Sequence, residues 1–264
     1  MPRPNHLRPQ MRIFLLLLFF SGCGKDSYLS ESAGPTASIE FGEGIEVVTP
    51  HETVLRIFDD FTPTTHQNRP ALPLRELVGE DAVVKPDLYG YRFIGTDGFY
   101  PNMPGKGYGD NTWAQLQYGY LDLADIRVDF DTERDPELRN GHNVKWLIQV
   151  QLLRSIDVQW SGGRKLATLR ELDAEIIPDA YQQAGEEGLT LANVVISAAP
   201  ADIVYESFLY RVLSRENESL PRLLTWEEMS ATYYVLESDS VVMLEALGPT
   251  YQISEPKSIR MEAK

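Results

Sequence analysis

Thr112-Trp113-Ala114-Gln115-Leu116, with Gly119-Tyr120-Leu121 and the alternating run Ile126-Arg127-Val128-Asp129-Phe130 behind it, recurs 113 residues later. There the chain reads Thr225-Trp226-Glu227-Glu228-Met229, then Thr232-Tyr233-Tyr234, then Ser240-Val241-Val242-Met243-Leu244. Thr, Trp, Tyr, Leu123/Leu236 and Val128/Val241 align without a gap, although the chain uses Trp only four times. The pattern predicts two copies of one structural unit. Thr112 and Thr225 have the acceptor side chain of a helix N-cap, and Gln115 and Glu228 stand three residues on, where a capping box closes. Trp113 with Leu116, and Trp226 with Met229, fall on one face of the helical turn that follows. An aromatic there is expected to anchor a core, because aromatics carry the largest apolar area.

The copies extend outward from this stretch. Leu72-Pro73-Leu74-Arg75-Glu76-Leu77-Val78 matches Leu189-Thr190-Leu191-Ala192-Asn193-Val194-Val195, with Pro73 and Thr190 at the helix cap. Leu55-Arg56 is paired with Leu169-Arg170. Tyr89 to Ile94 alternates like a strand and ends at Gly95-Thr96-Asp97-Gly98-Phe99, a turn signature. Its counterpart runs from Ser207 to Leu213 and ends at Ser214-Arg215-Glu216-Asn217. Each copy closes on an alternating strand, Trp146 to Leu152 and Ser258 to Glu262. Trp160-Ser161-Gly162-Gly163 marks the junction. The expected fold is mixed α+β: two similar lobes in tandem, 41–158 and 159–264, each a small twisted sheet with short helices. The period is far above that of solenoid arrays.

The N-terminal segment carries an address. Met11-Arg12 precedes eight apolar residues, Ile13 to Phe20, then Ser21-Gly22-Cys23. A basic start, a short apolar core and small residues before a cleavage point make a secretory signal, too short to span a bilayer. With cysteine at that point, the stretch resembles a bacterial lipoprotein signal, Phe20 standing where Leu is usual. The resemblance implies a signal peptide over 1–22, acylation of Cys23, a flexible tether over 23–40 rich in Ser, Gly and Pro, and a membrane as partner. Gly24 after the cysteine implies export to an outer membrane, facing the periplasm or the cell surface. Several acyl chains make such anchoring durable, each buried CH₂ contributing about 0.8 kcal/mol.

The formal charge is −15 over 264 residues. Losing the first 22 residues, which hold Arg3, Arg8 and Arg12 and no acid, makes it more negative still. Nucleic acid is therefore not an expected partner, since no basic stripe can release counterions. Cys23 is the only cysteine, so neither a disulfide within the chain nor a catalytic thiol is expected.

Candidate chemistry is thin. Asp97-Gly98-Phe99 can be a site, an Asp at a strand-to-turn junction beside a Gly free to take positive φ, or a plain turn. Gly105-Lys106-Gly107-Tyr108-Gly109-Asp110 lacks both the Gly-Lys-Ser/Thr and the Gly-x-Gly-x-x-Gly phosphate patterns, and reads as a lip over the first unit. The acids from Asp129 to Glu137 alternate, but a calcium loop needs Gly where Arg134 stands and Glu where Asn140 stands. His51, His66 and His142 lack zinc spacing. A ligand cleft is expected around Asp97, Gly98, Phe99, Tyr100 and Tyr120, and no metal is expected.

The order of pieces is similar to small molybdopterin-binding domains of the sulfite oxidase type. The residues carrying the resemblance are Leu72, Leu74 and Leu77; Asp97-Gly98-Phe99; Trp113 and Leu116; and Val144-Lys145-Trp146-Leu147-Ile148-Gln149-Val150. It implies a reused fold that retains a cleft, with His142 as the side chain to hold a pterin. That family ligates molybdenum through cysteine, which no position here supplies, so no cofactor is expected. The resulting expectation is a non-enzymatic, membrane-tethered binding or scaffold protein of the cell envelope, with a small ligand or another envelope protein as partner. A pterin-binding or redox protein is the alternative.

Overall fold

The computed structural model describes residues 41–79, 84–102, 109–135, 137–138, 142–178, 185–216, 218–220, 222–243 and 252–264. The expected signal peptide over 1–22, the expected tether over 23–40 with Cys23, and Gly105 to Tyr108 lie outside them. The described residues fall within one compact unit. The architecture is mixed α+β and mostly β, with several small sheets and short helices. Among the described residues no helix is long and apolar enough to cross a membrane.

The first half runs β1 (Gly44–Val48), β2 (Thr53–Ile57), β3 (Thr64–His66), β4 (Arg69–Pro73), α1 (Leu74–Val78), β5 (Tyr89–Gly95), β6 (Asn111–Thr112), α2 (Trp113–Leu116), β7 (Gly119–Asp122) and β8 (Arg127–Phe130). It leads into β9 (Leu147–Trp160), a 14-residue strand. The second half runs β10 (Gly163–Thr168), β11 (Glu175–Ile176), β12 (Glu187–Thr190), α3 (Leu191–Ala198), β13 (Phe208–Ser214), α4 (Trp226–Ser230), β14 (Thr232–Val235), β15 (Ser240–Met243), β16 (Gln252–Ser254) and β17 (Pro256–Ala263).

Pairing makes the two halves the same object. In the first, the β1–β2 hairpin lies beside β9, which runs parallel to β1 and antiparallel to β5. In the second, the β9–β10 hairpin lies beside β17, which runs parallel to β9 and antiparallel to β13. A bulge falls at Ile94/Gly95 in one and at Leu213/Ser214 in the other. The smaller sheets also agree: β3-β4-β7-β8 against β11-β12-β14-β15, the latter extended by β16. Even the unusual backbone repeats, with positive φ at Ile126 and Trp146 matched by Asp239 and Glu255.

Both capping boxes form, Thr112 with Gln115 and Thr225 with Glu228. Thr190 caps Asn193 N–H at the start of α3, while Pro73 caps α1 with no side-chain bond. The tryptophans hold equivalent places. Tyr91 lies 5.5 Å from Trp113 and Tyr210 lies 5.6 Å from Trp226, centroid to centroid. Each tyrosine hydroxyl donates to a backbone carbonyl five residues back, of Pro86 and of Tyr205. Trp113 is buried, whereas Trp226 is only half-buried, against Tyr205 and Tyr210.

Two details differ from the expectation. Trp160 to Gly163 is not a junction: Ser161-Gly162 is the turn of the β9–β10 hairpin, inside the second half. The halves meet within β9, where Leu147, Val150 and Leu152 enter the first core and Ile156 and Val158 enter the second. One strand is the last of one half and the first of the next, so a boundary at 158/159 cuts through it. Leu55-Arg56 lies in β2, and Leu169-Arg170 lies in a 3₁₀ turn whose counterpart is Phe58–Asp60. Loop lengths change the offset between copies along the chain, so a single offset misplaces that pair.

Candidate functional site

A cleft of about 620 Å³ opens between three segments: the loop leading into α2, the β9–β10 hairpin and the C-terminal end of α3. Each segment is there for a local reason. Ser161-Gly162 lets the hairpin fold back at its tip. Leu191, Val194, Val195 and Ala198 share one buried face of α3, which seats its last turn against the second core. Thr112 stops β6 and starts α2, and so fixes the chain at Asp110.

The cleft wall rests on a buried ion pair. Arg92 in β5 donates from Nε and Nη2 to the two oxygens of Asp110, each at 2.9 Å, and from Nη1 to Glu171 at 2.6 Å. Asn102 and Thr168 also donate to Asp110 Oδ2, at 3.2 and 3.0 Å. The Tyr100 ring lies 4.7 Å from the Arg92 guanidinium. Burial pulls the Arg92 pKa down, but the bonds and charges of Asp110 and Glu171 outweigh it and hold it above the ordinary arginine value.

The rim is charged. Arg164 sits 3.0 Å from Asp157 and 3.8 Å from Glu137. Burial raises the Glu137 pKa, Arg164 opposes that, and Asp135 and Asp157 add to it. Lys165 lines the cleft with no hydrogen bond or ion pair among the described residues. Trp160 gives the cleft an aromatic wall. Of the described lining residues, Thr112 and Ser197 carry hydroxyls, and both serve the backbone. Ser197 donates to the Val194 carbonyl, and Thr112 accepts from Gln115 N–H. Neither is set up as a nucleophile beside a base and an orienter.

The residues picked out in the sequence are distributed around this feature. His142 is buried and lines the cleft, edge-on to Phe130. Tyr100 touches its wall through Arg92. Asp97 is exposed, and its carboxylate accepts from Phe99 N–H at 3.0 Å. Gly98 has φ +76°, the left-handed conformation that turn requires. Phe99 packs against the first core. Tyr120 stacks on His66 at 4.1 Å, where His66 Nε2 is 3.6 Å from Asp129. Asp97, Gly98, Phe99 and Tyr120 are not among the residues that line the cleft.

Sequence reasoning missed Arg92, Asp110, Arg164 and Lys165. Only one signal was available: Gly109-Asp110 precedes the capping Thr112, while the matching stretch before Thr225 lacks the acid. No protein-family model, curated protein or solved structure matches the chain. The donor set does not fit a pterin-held molybdenum. The one thiol, Cys23, lies outside the described residues, and no cysteine is among the residues that line the cleft. Among the described residues no three His, Cys, Asp or Glu side chains are grouped to hold a metal ion.

Proposed function

We propose that the chain is a non-enzymatic binding or scaffold lipoprotein of the cell envelope, tethered through Cys23 and receiving a small polar ligand in the cleft between the β9–β10 hairpin and α3. The cleft carries this reading. It pairs an aromatic wall, Trp160, with a cation that has no partner among the described residues, Lys165, above a wall held firm by Arg92 and Asp110. Such a pocket orients a ligand bearing an anionic group and leaves no activated nucleophile beside it. The anchor reading is supported by Arg12, the apolar run and Ser21-Gly22-Cys23, and the acidic balance disfavours nucleic acid as the ligand.

Two measurements test it. Cys23→Ser should move the protein from the detergent phase to the aqueous phase on phase partitioning; equal partitioning of both forms would remove the tether. Native mass spectrometry of protein purified from its host should show a bound small molecule that Lys165→Glu loses at an unchanged thermal midpoint. Retention of the same adduct by Lys165→Glu would remove the cleft as its site.

A further inference from the structure

One contact that the second half makes has no counterpart in the first half among the described residues. In the second half, Arg215, Glu255 and Lys257 grip the start of the 3₁₀ turn Pro86–Leu88 of the first half. Arg215 Nε and Lys257 Nζ hold the two oxygens of Asp87 at 2.9 and 2.8 Å, and Glu255 pairs with Lys85. This contact ties one copy to the next.

The strand pairings fix the matching positions in the first half. Arg215 N–H bonds the Glu255 carbonyl as Thr96 N–H bonds the Trp146 carbonyl, at 2.9 and 3.0 Å. Gly95 pairs with Leu147 as Ser214 pairs with Pro256. Thr96, Trp146 and Ile148 therefore stand where the second half has Arg215, Glu255 and Lys257. Among the described residues no earlier copy precedes them, and they are open: Trp146 is 49% and Ile148 38% exposed. On the other side, the 3₁₀ turn Tyr205–Ser207 matches Pro86–Leu88, each receiving a tyrosine hydroxyl bond from the following strand. Val204 and Glu206 therefore match Lys85 and Asp87, and Val204 is 65% exposed.

The substitutions are paired. Where the internal contact sets Lys85 against Glu255, the open positions offer Val204 and Trp146: the ion pair has become an apolar pair, changed on both sides together. We infer that a second copy of this chain docks here, the Val204–Glu206 segment of one chain on the Thr96, Trp146 and Ile148 surface of the next. The arrangement is head to tail, with two different surfaces, so it propagates or closes a ring rather than stopping at a symmetric dimer. An exposed Trp facing an exposed aliphatic side chain is the kind of anchor such contacts use. Glu206 keeps the acid of Asp87, while Thr96 and Ile148 lack its two cations, and β9 has no covalent counterpart between chains. The contact is accordingly weaker than the internal one, and anchoring at a membrane raises its effective concentration. It involves neither the cleft nor Cys23.

Sedimentation velocity over a concentration series of the whole chain carrying Cys23→Ser tests this. The expected result is a sedimentation coefficient that rises with concentration, a rise lost in Trp146→Glu and in Val204→Asp at unchanged thermal midpoints. Restoring the cations with Thr96→Arg plus Ile148→Lys should tighten association about tenfold, since two opposite charges then meet Glu206. An unchanged thermal midpoint in that variant separates the gain from aggregation of misfolded chains. Val204→Cys in one chain and Trp146→Cys in another should crosslink on mixing beyond either alone. Concentration-independent sedimentation of the parent chain and of the Arg/Lys variant, or association untouched by Trp146→Glu, would overturn the proposal and leave the cleft and anchor readings standing.

Discussion

Arg92 and Arg211 stand at the same point of the two halves, yet Arg92 is buried against Asp110 while Arg211 lies on the surface beside Glu262. Both face the closing strand, Arg92 opposite Gln151 and Arg211 opposite Arg260. A duplicated position has been turned into the internal support of a cleft in one copy and left as a surface ion pair in the other.

That difference sets the first prediction. Arg92→Ala leaves Asp110 buried without its bidentate partner and should cost about 3–5 kcal/mol, the range for breaking a buried pair from one side. Arg211→Ala should leave the unfolding midpoint close to that of the parent, because solvent already screens its pair. Chemical denaturation of the two variants compares them directly, and equal losses would mean that Arg92 is not buried as described.

Asn111 supplies the second. It is buried opposite Tyr91, and its Nδ2 has no hydrogen-bond partner among the described residues. Leu224 bridges Tyr210 at the matching place in the second half. An unpaired buried donor costs about 1–3 kcal/mol, which an apolar side chain of similar size does not incur. Asn111→Leu should therefore raise stability by about 1 kcal/mol or more, read as a higher midpoint in urea at an unchanged slope. A lower midpoint would show that the amide is satisfied in solution.

The duplication was legible because it rests on local chemistry. Thr-Trp with Gln or Glu three residues after the Thr specifies a capped turn wherever it occurs, and the alternation of Ile126 to Phe130 and the apolar run Val241 to Met243 specify strands, both of which the fold buries almost completely. What was not legible is what non-local pairing decides. Nothing in Leu147 to Trp160 marks that its first part closes one half of the eight-stranded sheet and its second part opens the other, since both parts alternate alike. The partnership of Arg92 with Asp110 was hidden for the same reason: an arginine in a strand and an aspartate in a Gly-rich loop carry no sign of each other. Asp97-Gly98, by contrast, looked like a site because turns and sites draw on the same residues.

The third prediction concerns acid. Glu228 completes the capping box of α4 and accepts from both Nη atoms of Arg222, at 2.8 and 2.6 Å. The bond to Arg222 lowers its pKa, burial opposes this, and the Thr225 N–H adds to the lowering. A carboxylate held below its ordinary value of 4.5 contributes stability above that value, and this is lost as pH falls through the folded-state pKa. Gln115, its counterpart, does not titrate. Glu228→Gln should therefore flatten the loss of stability below about pH 4.5, by about 1 kcal/mol at most, and Gln115→Glu should steepen it. The flattening is partial, because Asp87 is lost in the same window: burial pushes it up, but bonds from Lys257 and Arg215 hold it low. Thermal melts from pH 3 to 7, roughly the span over which carboxylates titrate, would show it; identical profiles for parent and Glu228→Gln would exclude the cap as a source.

Gly119 and Phe130 provide the fourth. They pair across β7 and β8, as Thr232 and Met243 pair across β14 and β15. A Cβ built at Gly119 would meet the Leu74 side chain and lie 2.7 Å from Phe130 Cε1, so the first half has no room for the second half's residue. Thr232 fits because Met243 replaces the ring, and its hydroxyl donates to the Glu228 carbonyl at 2.7 Å. Gly119→Thr alone should cost about 1–3 kcal/mol through overpacking, and Phe130→Met alone should loosen the first core. Made together, they recreate the second half's pair, and the double variant should be more stable than the sum of the two losses by about 0.5–3 kcal/mol. A double-mutant cycle measures that coupling. Simple additivity would mean that the copies fill this part of their cores by unrelated means, despite a shared backbone.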